Sequence, residues 1–149
     1  MSALPTSDVQ ARRDTRRAKV LVAEDHDDTR LMLRTLLEQR GLSVVEAGDG
    51  LEAVDAAERE CPDLILMDGS LPRLDGIAAT RRLRGLPALS AVPIVFISGH
   101  AGAQHRTAAL DAGCDDYVVK PFDLARIDMV LSRHLPGRCG GRTRDSFNS

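Results

Sequence analysis

Short apolar runs alternate along the chain with stretches whose apolar residues recur at helical spacing. Val20–Ala23, Ser43–Val45, Leu64–Met67, Val92–Ile97 and Tyr117–Val119 are 3 to 6 residues long and rich in β-branched side chains, which predicts five strands. Between them, Leu33, Leu36 and Leu37 are closed by Gly41, and Leu51, Val54 and Ala57 follow Gly50, each group marking one face of a helix. Further helical patterns lie near Ile77–Leu83, Thr107–Ala112 and Leu124–Leu135. Strands that are apolar on both faces and alternate strictly with helices imply a parallel sheet covered on each side and joined by right-handed crossovers. The expected fold is therefore a doubly wound α/β domain with a five-stranded parallel sheet and helices on both faces. In such folds ligands bind beyond the carboxyl ends of the strands, so the residues just after each apolar run matter most.

Both ends of the chain lack this pattern. Residues 1–17 carry almost no apolar periodicity, and GRCGGRTRDSFNS is a Gly, Arg and Ser stretch that cannot bury a face. We expect disordered tails over 1–17 and 137–149, and one folded unit over 18–136. At 149 residues, with 43% hydrophobic and 28% charged residues, the chain matches one compact domain, and a stand-alone unit without an attached output domain is expected. No apolar run approaches the roughly 20 residues that span a bilayer, and the first residues lack a secretory core, so a cytoplasmic protein without a membrane partner is expected.

The net charge of −2 conceals an asymmetry. Setting aside the basic ends, 1–19 and 136–149, leaves 12 basic against 19 acidic residues, a balance that argues against a nucleic-acid partner. The basic ends read as solvated tails. Cys61, Cys114 and Cys139 form neither an even set nor a CxxC spacing, so buried or incidental thiols are expected rather than a disulfide framework or a zinc site.

The chemistry is concentrated at the strand ends. Strand one runs into Glu24 and Asp25, strand three into Asp68, strand four into Ser98 and strand five into Lys120, all at one edge of the sheet. Three converging carboxylates repel one another unless a divalent cation neutralises them, and a hard oxygen-seeking ion such as Mg²⁺ suits that donor set. Asp68 is then a ligand alone, or a ligand and a nucleophile. A carboxylate that attacks phosphorus needs charge neutralised around the equatorial oxygens, which Mg²⁺, the Ser98 hydroxyl and the Lys120 ammonium would share. The chain uses arginine 18 times and lysine twice, so a lysine at this strand end is a marked choice of a compact point charge. Asp27 and Asp28 read as first-turn acids of the following helix.

These residues resemble a known family. KVLVAEDHDD, PDLILMDGSLPRLDG, PIVFISGHA and DDYVVKPFD are similar to the landmark segments of two-component response-regulator receiver domains, over about 120 residues in collinear order. The resemblance, to a stand-alone receiver of the chemotaxis kind, implies the flavodoxin-like strand order 2-1-3-4-5, on which the apolar pattern alone is silent. It further implies that Asp68 is the phosphoacceptor in a phosphorelay, with Mg²⁺ held by Asp25, by Glu24 through water, by Asp68 and by the backbone carbonyl of Ser70. Ser98 and Lys120 would hold phosphoryl oxygens, and the Lys120–Pro121 bond would be cis. Ser98 and Tyr117 would form the switch that alters the face made by helix four, strand five and helix five, where a downstream protein binds or a homodimer forms. The donor would be a sensor histidine kinase or a histidine phosphotransfer protein, and the protein would be no enzyme beyond its own phosphorylation and dephosphorylation. Output would go through binding or onward phosphotransfer. A structural Tyr117, packed as a core aromatic, stays open.

Some positions depart from the common pattern. Leu71 stands where methionine is frequent before Pro72, and Gly69 and Ser70 follow Asp68 where bulkier residues are common. Ser70 and His100 occupy positions that tune water access, and a small Ser70 implies a short-lived phosphoryl group. Other readings are a pseudo-receiver docking or dimerisation module, from which no landmark residue is missing, and an aspartyl-phosphate phosphohydrolase, which needs an acid where Ser70 stands. Nucleotide binding lacks a GxGxxG or P-loop after strand one.

Overall fold

The computed structural model describes residues 17–135. The tails expected over 1–17 and 137–149 therefore fall, Arg17 apart, outside the described residues, as does Cys139. The described chain runs β1 (Lys19–Ala23), α1 (Asp27–Gln39), β2 (Ser43–Ala47), α2 (Gly50–Glu60), β3 (Leu64–Asp68), α3 (Gly76–Arg84), a 3₁₀ turn (Pro87–Leu89), β4 (Ile94–Ser98), α4 (Ala103–Ala112), β5 (Asp116–Val119) and α5 (Leu124–His134). The strands form one parallel sheet in the order β2-β1-β3-β4-β5. This is the doubly wound α/β architecture that the alternation predicts.

Each strand divides its residues between two cores, because successive side chains point to opposite faces. Leu21, Ala23, Ile65, Met67, Ile94, Phe96 and Tyr117 pack against Ala53, Ala56 and Ala57 of α2, Ala79 and Leu83 of α3, and Ala109 of α4. Val20, Val22, Leu64, Leu66, Val95, Ile97 and Val118 pack against Leu33, Leu36 and Leu37 of α1 and Ile127, Val130 and Leu131 of α5. The central strand β3 is buried along its whole length, which explains why LILMD shows no polar alternation.

Observed bounds differ from the apolar pattern by a residue or two at several elements, among them β2, which runs on from Val45 to Ala47, and three differences have a plain cause. β4 begins at Ile94 rather than Val92, since Pro93 has no N–H to give to a ladder. The segment before it forms the 3₁₀ turn, whose Leu89 is buried; the pattern showed no helix there. α4 begins at Ala103, four residues before the expected Thr107, because its first turn is exposed and only Ala109 and Ala112 are buried.

The turns that carry the site are closely packed. Asp75 caps α3 by accepting a hydrogen bond from Ala78 N at 2.9 Å. Gly76 follows, and a Cβ there would lie 2.5 Å from the Asp68 carbonyl oxygen, so only glycine lets α3 begin so near the end of β3.

Candidate functional site

The carboxyl ends of β1, β3, β4 and β5 bring the predicted polar residues to one edge. β1 leads directly into Glu24 and Asp25, while Asp68 is the last residue of β3 and Ser98 the last of β4. The β3–β4 register sets Asp68 opposite Ile97, so Ser98 stands one step further, beside Gly69. Lys120 follows β5, and the bond from Lys120 to Pro121 is cis.

Lys120 ties two of the carboxylates together. Its Nζ donates to Glu24 Oε1 at 3.0 Å and to Asp68 Oδ1 at 3.1 Å. Glu24 and Asp68 are buried, at 2% and 3% exposure, so this ammonium is their charge partner in a place water barely reaches. The two acids respond differently. Burial pushes the Asp68 carboxyl above its ordinary range, and the charges of Glu24 and Asp25 add to that push against the pull of Lys120. Burial also works against ionised Glu24, but there the His26 N–H, the Lys120 ammonium and the His26 ring together hold the carboxyl below its ordinary range. The difference follows from the donors: Glu24 Oε2 accepts from His26 N at 3.0 Å, whereas Asp68 Oδ2 is buried with no hydrogen-bond partner. Burial opposes the charge on Lys120 as well, yet its two carboxylates raise it above an ordinary lysine.

The donor set fits a divalent cation. Glu24, Asp25 and Asp68 bring three negative charges against the ammonium of Lys120, and both Asp25 Oδ1 and Asp68 Oδ2 are buried without a hydrogen bond. Carboxylate oxygens left without a donor in a shared cleft are what a hard cation requires.

The remaining predicted residues divide into near and peripheral. Ser98 is buried, and its Oγ accepts from His100 N at 3.0 Å. Ser70 is exposed in the turn after β3, two residues past Asp68. The His100 ring is exposed and stacks on His105, with centroids 4.0 Å apart. Tyr117 is buried: its hydroxyl donates to the His100 carbonyl at 2.7 Å, its ring stacks near Phe96, and the Arg106 guanidinium lies 5.0 Å above it.

Two residues of the site were not singled out in the sequence. His26 occupies the N-cap position of α1, makes no side-chain cap, and sets its Nδ1 3.1 Å from Glu24 Oε2 and 3.3 Å from Asp25 Oδ1. A histidine directly after an acidic pair is the one signal that could have found it. Arg30 reaches back from α1 to donate to the Glu24 carbonyl at 2.8 Å and also pairs with Asp27. Its contact runs to a backbone atom, which no side-chain pattern announces.

Comparison with known proteins agrees with this geometry. The response regulator receiver domain family matches residues 20–132. The transcriptional regulatory protein CseB of Streptomyces coelicolor is 40% identical over 129 residues, covering 84% of this chain and 53% of that protein. Among solved structures, the receiver domain of the sensor histidine kinase PA1611 from Pseudomonas aeruginosa has a TM-score of 0.76 at 36% identity, covering 80% of this chain and 98% of that one. That structure holds a magnesium ion in its active-site cleft. The chemotaxis protein CheY4 of Vibrio cholerae has a TM-score of 0.76 at 26% identity, covering 79% of this chain and 98% of that one.

A five-stranded parallel sheet with an acid pair, a buried aspartate, a serine and a lysine at its carboxyl edge defines a phosphorylation-signalling module. The chain belongs to the response regulator receiver domain family of two-component systems. It spans about half the length of the curated regulators it matches first, at 53% and 58%. No described helix is long and apolar enough to cross a membrane.

Proposed function

We propose that Asp68 accepts a phosphoryl group from a sensor histidine kinase or a histidine phosphotransfer protein, and that the resulting local change alters a protein-binding face. The observation that carries this reading is the Lys120 ammonium held between Glu24 and Asp68, while the second oxygen of Asp68 is buried and unpaired.

The chemistry follows from those positions. The Asp68 carboxylate attacks phosphorus; the bond from phosphorus to the donor's imidazole nitrogen breaks, and that nitrogen keeps the electron pair. Lys120 already sits on Asp68 Oδ1, so its charge lies beside the phosphoryl oxygens without a large movement. Asp25, Asp68, the Ser70 carbonyl and, through water, Glu24 would hold Mg²⁺, which supplies neutralising charge to one phosphoryl oxygen when bound. Ser98 would give its hydroxyl hydrogen to another.

Turning Ser98 toward the phosphoryl group releases the His100 N–H it now accepts from, and the carbonyl of that same residue receives the Tyr117 hydroxyl. Movement of Ser98 is thereby coupled through one residue to β5 and to the neighbouring surfaces of α4 and α5, where a downstream protein would bind. On this reading the protein catalyses only its own phosphorylation and dephosphorylation, with Ser70 and His100 setting the access of water to the phosphoryl group.

Incubation with Mg²⁺ and acetyl phosphate should add about 80 Da, the mass of one phosphoryl group, as an acid-stable and base-labile adduct. Asp68→Asn should abolish the adduct, and equal labelling of both proteins would show that the acceptor is another residue. Lys120→Met should slow labelling on the order of 100-fold, since it removes a charge aimed at the transferring group.

A further inference from the structure

The ring of His26 has no task in capping its own helix, although it stands at the cap position. It turns back over the acidic pair instead, and one ligand atom each from Glu24, Asp25 and His26 lie within 4.8 Å of one another. The individual separations are telling. A divalent ion bound at about 2.1 Å holds adjacent ligands about 3.0 Å apart. His26 Nδ1 lies 3.1 Å from Glu24 Oε2, to which it is hydrogen-bonded, and 3.3 Å from Asp25 Oδ1, so an ion that replaces the ring proton finds its ligand atoms close to that spacing. A second observation comes from outside this acidic cluster. Asp68, 3% exposed and linked to Glu24 through Lys120, has Oδ2 buried with no hydrogen-bond partner, so the carboxylate next to this group carries an oxygen in need of a cation.

We propose that His26 is a ligand for the divalent ion of this cleft, and that its nitrogen shifts the site's preference from Mg²⁺ toward borderline transition ions such as Ni²⁺. The inference rests on the reading of the cleft as a cation site and adds the identity of the ion it favours. Mg²⁺ is a hard ion that takes oxygen and water and gains little from imidazole. Ions further along the first transition row bind imidazole well, and they accept a mixed nitrogen and oxygen set. One imidazole with the carboxylates of Glu24 and Asp25 is such a set, and the 72% exposed His26 side chain leaves an entry path from solvent. A receiver whose ion site carries this nitrogen would answer to the supply of a transition ion as well as to its phosphodonor.

Calorimetric titration of the intact protein with NiCl₂ and, separately, MgCl₂ tests the idea without any activity measurement. His26→Ala should weaken Ni²⁺ binding on the order of 10-fold or more, the scale on which even outer partners of a metal matter, and leave Mg²⁺ binding within about 2-fold. His100→Ala serves as the control, because His100, two residues past Ser98, stacks on His105 of α4 and offers another exposed imidazole. The ligand-field absorption of the Ni²⁺ complex should change in His26→Ala and persist in His100→Ala. Ni²⁺ affinity and spectrum unchanged by His26→Ala, or lost in His100→Ala alone, would overturn the proposal while leaving the Mg²⁺ site intact. Absence of both Mg²⁺ and Ni²⁺ uptake by the unaltered protein would instead remove the cation-site reading beneath it.

Discussion

Individual side chains show where polar groups are satisfied and where they are not. Thr80 is fully buried in α3, and its Oγ1 has no hydrogen-bond partner. An unsatisfied buried hydroxyl costs about 1 to 3 kcal/mol, so Thr80→Val, which keeps the shape and removes the oxygen, should raise stability by about 1 kcal/mol. Urea unfolding measures this, and a lower midpoint would show that the hydroxyl has a role in the fold. Asp116 is the opposite case. Burial works against its charge, but the Tyr117 N–H, His134, Arg133 and Arg126 outweigh that and hold its carboxyl below the ordinary range. A lowered native pKa means that the folded state holds its proton less tightly than the unfolded chain, whose aspartate titrates near about 3.9. The stabilisation is therefore complete above that value and is lost as pH falls through the lower native one. The advantage of the native protein over Asp116→Asn should therefore shrink as pH falls below about 4. Urea midpoints of the two proteins on both sides of that pH give the comparison, and a pH-independent difference would contradict it.

Elements and their junctions show which features a sequence reveals. The strands were visible because β-branched runs alternate between two cores, and the strand-end acids, Asp68, Ser98 and Lys120 were visible because the sheet edge collects them. The first turn of α4 was not, since Ala103, Gln104, His105 and Arg106 are exposed and carry no apolar stripe. Nor was the 3₁₀ turn at Pro87–Leu89, which anchors itself by one buried leucine. The position of the His26 ring depends on the α1 cap leaving it unused, a property of the junction rather than of the residue type. Junctions are also where close packing is strictest. Gly50 begins α2 beneath the loop from β3 to α3, and a Cβ there would come within 1.7 Å of the Leu74 carbonyl oxygen. Gly50→Ala must displace that loop, and it should lower stability by about 1 to 3 kcal/mol, the usual cost of overpacking. Thermal unfolding reads the loss; an unchanged midpoint would mean that the loop shifts freely.

Across the whole molecule, the sheet separates two cores that share strands but not side chains. Ile94 belongs to the core beneath α2, α3 and α4, and Ile127 to the core beneath α1 and α5. Ile94→Val and Ile127→Val should each cost about 0.5 to 1.5 kcal/mol, and the double variant should equal their sum within about 0.5 kcal/mol. A larger discrepancy in denaturant unfolding would show that the sheet transmits strain between its faces. Arg84 fastens the rim of the first core: its guanidinium donates to the carbonyls of Leu89, Val92 and Gly113 and pairs with Asp115, linking the end of α3 to the segments leading into β4 and β5. Those segments set the height at which Ser98 and Lys120 reach the edge.

The aromatic inventory of the chain is one tyrosine, three phenylalanines and no tryptophan. The ring of Tyr117 is thus the dominant source of its near-ultraviolet emission, and its hydroxyl is tied to the backbone just beyond Ser98. Any rearrangement of that tie changes the brightness of a built-in optical probe, so conformational turnover is observable in real time on unlabelled material.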